Sequence, residues 1–251
     1  MADIKELKRI ASQVRRDIIR QVYLCQSGHP GGALGCTDLL VALYFDVMKH
    51  DTAFNMEAHG EDVFFLSNGH ISPVWYSTLA HAGYFPVEEL KTFRELNSRL
   101  QGHPTTHEHL PGIRVASGSL GQGISVAAGM ATAKKMDGDD RTVFVLTGDG
   151  EQQEGQIWEA ALFGPDRNLN NLVVIIDRNH QQIDGPTEKV MALGDMGAKW
   201  TAFGWDVRHM DGNNMEEVVK TLHAAAKDRG PKPVCIVMET VMGKGVNFME
   251  G

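Results

Sequence analysis

Thr142–Gly150 (TVFVLTGDG) and, one helix-length further on, Leu172–Gly185 (LVVIIDRNHQQIDG) decide how this chain is read. Val143–Leu146 and Leu172–Ile176 are continuous apolar runs, too short for helices and lacking the polar alternation of a half-solvated strand. Such runs are central strands buried on both faces. Each stops abruptly in polar residues: Gly148-Asp149-Gly150 after the first, Asp177-Arg178-Asn179 after the second. In open α/β sheets ligands bind beyond the carboxyl ends of the strands, so these two loops already mark a site.

Working outward, short β-type runs recur at Val63–Leu66, Trp205–Arg208 and Val234–Met238. Between them the apolar spacing predicts helices over 4–23, from Thr37-Asp38 through Met48, and over 73–82, 86–97, 123–136, 154–163 and 214–228. Strands alternating with helices predict an α/β fold, a parallel sheet with helices on both faces. No repeat, low-complexity tract or Pro-rich linker divides the chain, which reads as a single domain over residues 1–251.

Composition narrows the function. With 24 Lys+Arg against 32 Asp+Glu the net charge is −8. That balance disfavours nucleic acid or an anionic membrane as the main partner, since both require clustered positive charge. The longest apolar run, Leu39–Phe45, is far short of the roughly 20 residues of a membrane span. The basic residues near the N-terminus are interleaved with Ile4, Leu7, Ile10 and Val14, as in an amphipathic helix and unlike a signal peptide. Three cysteines without a CxxC pair fit a reduced, cytoplasmic setting. The 27 glycines are about 11% of the chain, against a usual share near 7%. Ten of them fall within Gly28–Gly35, Gly118–Gly123 and Gly148–Gly155, as expected where backbone must come close to a ligand.

Gly148-Asp149-Gly150 can admit phosphates to the backbone while aiming one carboxylate at the same place. Mg²⁺ takes six oxygens and commonly shares them between one or two protein groups and substrate phosphates. The Asp149 carboxylate, the Asn179 amide oxygen and the Gln181 carbonyl would supply three. A zinc reading of His103, His107 and His109 (HPTTHEH) is weaker, because Pro104 disfavours helix at His103 and no further ligand stands nearby.

Gly148-Asp149-Gly150, 28 residues, then Asn179 resembles the thiamine diphosphate signature, and GDGEQQEGQIWEA (148–160) resembles the transketolases in particular. So do SGHPGGALG (27–35), SNGH (67–70), Gly102-His103-Pro104 and GSLGQG (118–123), all in the family's order. The resemblance implies a thiamine diphosphate-binding, pyrophosphate-domain fold. It implies Mg²⁺, or Ca²⁺ or Mn²⁺ in its place, held by Asp149, Asn179 and the Gln181 carbonyl, with Gly150 against the diphosphate. It places Gly118 and Leu120 at the aminopyrimidine, Ile183 against the cofactor ring, and Glu154 in a carboxylate network linking cofactor sites between subunits. Core packing is the competing reading for Leu120 and Ile183, and a solvated acidic residue in the first turn of a helix for Glu154. His70 would contact the diphosphate. His29 and His103 would bond substrate hydroxyls and move protons, as imidazoles that titrate near neutrality can.

Transketolases continue into a pyrimidine-binding domain and a C-terminal domain, and the resemblance here covers only the part that precedes them. The resemblance is therefore to the N-terminal subunit of a split transketolase. It implies a partner subunit carrying the pyrimidine-binding domain, in an α2β2 heterotetramer. The expected activity is transfer of a two-carbon ketol unit from a ketose phosphate to an aldose phosphate, the chemistry of the pentose phosphate pathway. Two alternatives stand beside it: a ketol transferase specialised for a branched or sulfonated sugar phosphate, and a non-catalytic binding or regulatory protein retaining the fold.

Overall fold

The computed structural model describes residues 2–251. Asp3 caps α1 (Ile4–Cys25) by accepting from the Lys5 N–H, and Leu7, Ala11, Val14 and Ile18 form its buried stripe. It ends at Gln26, in the left-handed region (φ 51°). Two short helices follow, α2 (Pro30–Gly35) and α3 (Thr37–Ala42). The helix predicted through Met48 loosens after Ala42 into a π turn, Leu43–Val47. Leu39–Phe45 is apolar on every side, so its pattern does not dictate helical register. Packing does: the Trp75 indole donates to the Tyr44 hydroxyl at 2.8 Å, and His223 meets Asp46 at 2.6 Å.

Next come β1 (Val63–Leu66), α4 (Ser72–His81), α5 (Gln122–Met136), β2 (Val143–Gly148), α6 (Gly155–Asp166) and β3 (Leu172–Arg178). A two-residue hairpin, β4 (Gln181–Gln182) and β5 (Gly185–Pro186), leads to α7 (Thr187–Val190) and α8 (Met196–Ala202). The described chain closes with β6 (Asp206–Asp211), α9 (Met215–Lys227) and β7 (Val234–Glu239). The helix predicted over 86–97 is absent and only a 3₁₀ segment, Val87–Thr92, forms. Arg94 (φ 62°) and Asn97 (φ 64°) are left-handed, and the Arg94 N–H turns back to the Leu100 carbonyl at 2.9 Å, closing a loop in place of a helical turn.

Five strands make one parallel sheet in the order β1-β2-β3-β7-β6. Alternate residues feed two apolar layers. Phe64, Leu66, Phe144, Leu146, Val173 and Ile175 pack with α1, α3, α4 and α9, whereas Phe65, Val143, Val145, Val174 and Ile176 pack with α5, α6 and α8. Burial on both faces explains the unbroken apolar runs. Register brings Gly148 opposite Asp177 and Asp177 opposite Met238, so the polar residues that end β2, β3 and β7 emerge side by side.

Candidate functional site

A cavity of about 710 Å³ opens at those strand ends, lined by the loops after α1, β1, β2 and β3. Its volume lies in the range of small-molecule sites, roughly 300–1,000 Å³. At its floor Asp149 is 2% exposed, its two oxygens accepting from the Gly150 N–H (2.7 Å) and the His180 N–H (2.6 Å). Asp177, buried beside it, accepts from the Thr240 hydroxyl, the Cys36 thiol and the Asn179 amide nitrogen (3.0 Å). That last bond fixes the Asn179 amide with its oxygen turned away from Asp177, to accept from the Gln181 N–H at 3.0 Å. Burial first, then the neighbouring Asp177 charge, pushes the Asp149 carboxyl up to about 6, and burial raises Asp177.

The glycine clumps are where loops come into contact. A Cβ on Gly150 would lie 2.6 Å from Gln182 Cβ, and one on Gly69 would lie 2.7 Å from the Gly118 nitrogen. Gly118 itself has φ +108°, and a Cβ there would fall 2.3 Å from the His103 ring. His103 is thus set over Gly118, outside the cavity proper, while His29 and His70 line it. The His29 and His70 rings meet edge to face at 5.2 Å. Burial, reinforced by His29 and His103, lowers His70 to about 4. Burial and the Arg94 charge also lower His29 and His103. These shifts favour the neutral imidazole, the form that can accept a proton.

Leu120 (36% exposed) and Ile183 (88% exposed) face the cavity and do not pack in a core. Glu154 is exposed, at the N-cap of α6, before the first turn where the sequence placed it. Gln181 lies on β4 at the cavity edge. The segment after Pro104 is a loop with one 3₁₀ turn, Thr106–Glu108, so His103 and His107 do not share a helical face. Among the described residues no three His, Cys, Asp or Glu side chains converge on a metal position. The predicted set of one carboxylate, one amide and one carbonyl contains only one such side chain.

Three residues escaped the sequence reading. Glu151, 2% exposed, accepts from the Ser67 hydroxyl, the Gly121 N–H (2.8 Å) and the Gly148 N–H (2.9 Å). Asn68, on the cavity wall, has its side-chain oxygen buried without a partner. Arg94 donates to the Ser27 hydroxyl at 3.2 Å and stands over Gly102. Only Glu151 carried a signal, its place three residues beyond a strand-end glycine.

Residues 6–251 match the family described as the transketolase thiamine diphosphate-binding domain, and the chain therefore belongs to the transketolase family. The expectation of a thiamine diphosphate-dependent transferase component is met. The chain is 44% identical over 248 residues to one subunit of the apulose-4-phosphate transketolase of Phocaeicola vulgatus, covering 99% of this chain and 87% of that one. It is 41% identical to a 6-deoxy-6-sulfo-D-fructose transketolase subunit of Clostridium sp. (strain MSTE9), covering 98% and 88%. The solved transketolase of Campylobacter jejuni superposes with a TM-score of 0.90 at 33% identity, over 99% of this chain and 40% of that one.

Proposed function

We propose that this chain is the cofactor-binding, N-terminal subunit of a two-chain transketolase. The observation that carries the reading is coverage: the chain aligns along nearly its whole length with proteins that are themselves named transketolase subunits, and spans only about 39% of single-chain transketolases. The other part of the site would come from a partner subunit with the pyrimidine-binding domain, in an α2β2 assembly, with residues 1–251 acting as one domain. Exposure of Leu120, Ile183, His29 and His103 suits a surface that a cofactor and a partner cover.

The donor set fits thiamine diphosphate with a divalent cation. Five carboxylates line the cavity (Asp149, Glu151, Glu154, Asp177 and Asp184) and no lysine or arginine does. A diphosphate entering that wall meets like charge unless a cation intervenes, and a cation beside Asp149 and Asp177 offsets the repulsion between them. Asp149, the Asn179 amide oxygen and the Gln181 carbonyl would hold the metal, Mg²⁺ or Ca²⁺ or Mn²⁺. Gly150 and His70 would meet the diphosphate, Gly118 and Leu120 the aminopyrimidine, and Ile183 the ring. Glu154 would join the network between subunits. When bound, the cofactor supplies the electron sink for cleaving and forming the carbon–carbon bond. The neutral imidazoles of His29 and His103 take a proton from a substrate hydroxyl as the bond breaks, and return it when the ketol unit is accepted.

The substrates proposed are a ketose phosphate donor and an aldose phosphate acceptor. The names of the two relatives favour a more specialised version, in which the sugar is branched or sulfonated. The test is to co-purify the chain with its partner and to assay ketol transfer with a panel of acceptors. Transfer that needs both chains, thiamine diphosphate and Mg²⁺ is expected. Full transfer by the isolated chain refutes the two-chain reading.

A further inference from the structure

The N-terminus of α5 has no cap of its own. Its N-cap is Gly121, in the left-handed region at φ 84°, with no side chain to offer. Two of its free N–H groups are taken from outside the helix. Gly121 donates to a Glu151 oxygen at 2.8 Å, and Gly123 donates to the Ser67 hydroxyl oxygen at 3.1 Å. The same hydroxyl donates to Glu151, whose other oxygen accepts from the Gly148 N–H at 2.9 Å. One carboxylate therefore ties together the loop after β1, which carries Asn68 and His70, the glycine loop that opens α5, and the loop after β2, which carries Asp149. Approach here is close: a Cβ on Gly123 would lie 2.5 Å from Ser67 Cβ.

The chemistry of the junction selects a carboxylate. All three neighbours donate, so the group between them must accept three times and donate nothing. Ionised glutamate does so, whereas glutamine would turn an N–H₂ against one of the backbone N–H groups. A buried negative charge at a helix N-terminus is also favoured by the helix dipole. The Gly121 and Gly123 N–H groups are therefore not free to hold an anion.

We infer that Glu151 is the positioning residue of the cofactor site, setting the spacing of the three loops that thiamine diphosphate must span. The inference rests on the functional reading above, but the clamp is measurable without it.

The experiment has two parts. In the full chain, amide hydrogen exchange at Gly121 and Gly148 is followed by NMR for wild type, Glu151→Gln and Ser67→Ala. In the complex with the partner subunit, thiamine diphosphate and Mg²⁺ are titrated into the same variants and into Glu159→Gln, an exposed control on α6. For Glu151→Gln, exchange at Gly121 or Gly148 is expected to accelerate about tenfold or more, and cofactor affinity to fall roughly tenfold. Sugar KM, and kcat at saturating cofactor, should stay within about threefold, since a positioning residue touches no reacting atom. Ser67→Ala, which keeps the Glu151 bonds to both glycines, should lose roughly threefold in affinity. It keeps the inference open to refutation where Glu151→Gln does not fold. Unchanged exchange at both glycines overturns the clamp. Faster exchange with wild-type cofactor affinity overturns its role in positioning. A wild-type complex that binds no cofactor, with the clamp intact by exchange, instead overturns the functional reading and with it the cofactor half of this inference.

Discussion

At the floor of the cavity Asp149 and Asp177 are buried, and their oxygens are engaged by backbone N–H, hydroxyl, thiol and amide donors. At its rim His29 and His103 are exposed, and the His29 ring meets His70 edge to face. The floor holds groups whose charge burial makes costly, which is tolerable where a cation completes the set. The rim holds imidazoles whose pKa partial desolvation and the Arg94 charge lower, which favours the form that accepts a proton. In the proposed roles, buried carboxylates for binding and exposed imidazoles for chemistry are separated by depth, and experiments that strike one and spare the other test the separation.

The largest effect is expected at the floor. Asp149→Ala removes the proposed metal carboxylate and should weaken Mg²⁺-dependent cofactor binding in the complex about 1,000-fold, the several kcal/mol of a direct metal ligand. Calorimetric titration measures it. The isolated chain should still melt within about 5 °C of wild type. Gly150 and His180 lose an acceptor, but Asp177 loses a repulsive neighbour. A variant that binds cofactor normally would remove Asp149 from the metal role.

Acid separates floor from rim by sign. His70 titrates near 4 in the fold against about 6.5 in an unfolded chain, so between those values the unfolded state binds more protons and stability falls as pH is lowered. Asp149 titrates near 6 against 3.8, so over a similar window the folded state binds more protons and stability rises as pH is lowered. Each contribution is about 3 kcal/mol and the two oppose each other. In the metal-free chain with chelator, His70→Gln should make stability rise on acidification from pH 6.5 to 4, relative to wild type. Asp149→Asn should make it fall more steeply. Denaturant melts across that range decide the matter, and two variants with the wild-type slope would refute the opposition.

How much of this could be read from the chain beforehand depends on where the information lies. Asp149, Asn179 and the Gly148–Gly155 loop follow buried strands that end in polar residues, so local pattern marks them, whereas the other two glycine clumps show only as composition. The helix predicted over 86–97 failed because left-handed Arg94 and Asn97 turn back onto Leu100, a choice made by the loop and invisible in apolar spacing. Glu151 and Glu154 look alike in the sequence, both acidic residues near a helix start. What distinguishes them is contact with Ser67 and Gly121, 84 and 30 residues away. Asp177 looked like the polar end of a strand, and its hold on Cys36, Thr240 and Asn179 exists only once β3 and β7 lie side by side.

A change at the rim should leave binding intact. His103→Ala is expected to cost about 100-fold in kcat, within the usual worth of a general acid–base group. Cofactor affinity should stay within about twofold of wild type. If the two groups serve one proton path, as proposed, the kcat loss should be matched by His29→Ala and should not be additive with it. Steady-state kinetics of the two single variants and the double variant in the complex provide the check. Strictly additive losses would mean that the histidines act in separate steps.

The smallest expected effect lies between floor and rim. Ile183 is 88% exposed, so replacing it with alanine removes little packing and should change chain stability by less than about 0.5 kcal/mol. If the side chain lies against the bound cofactor ring, its truncation uncovers apolar surface only in the loaded complex. Roughly 1 kcal/mol of burial is then lost, and cofactor affinity falls about fivefold. A buried core residue would show the reverse, a large stability loss without specific loss of affinity. Thermal melts of the free chain paired with cofactor titration of the complex separate the two outcomes. Equal shifts in both would return Ile183 to a packing role and leave the ring contact to Leu120.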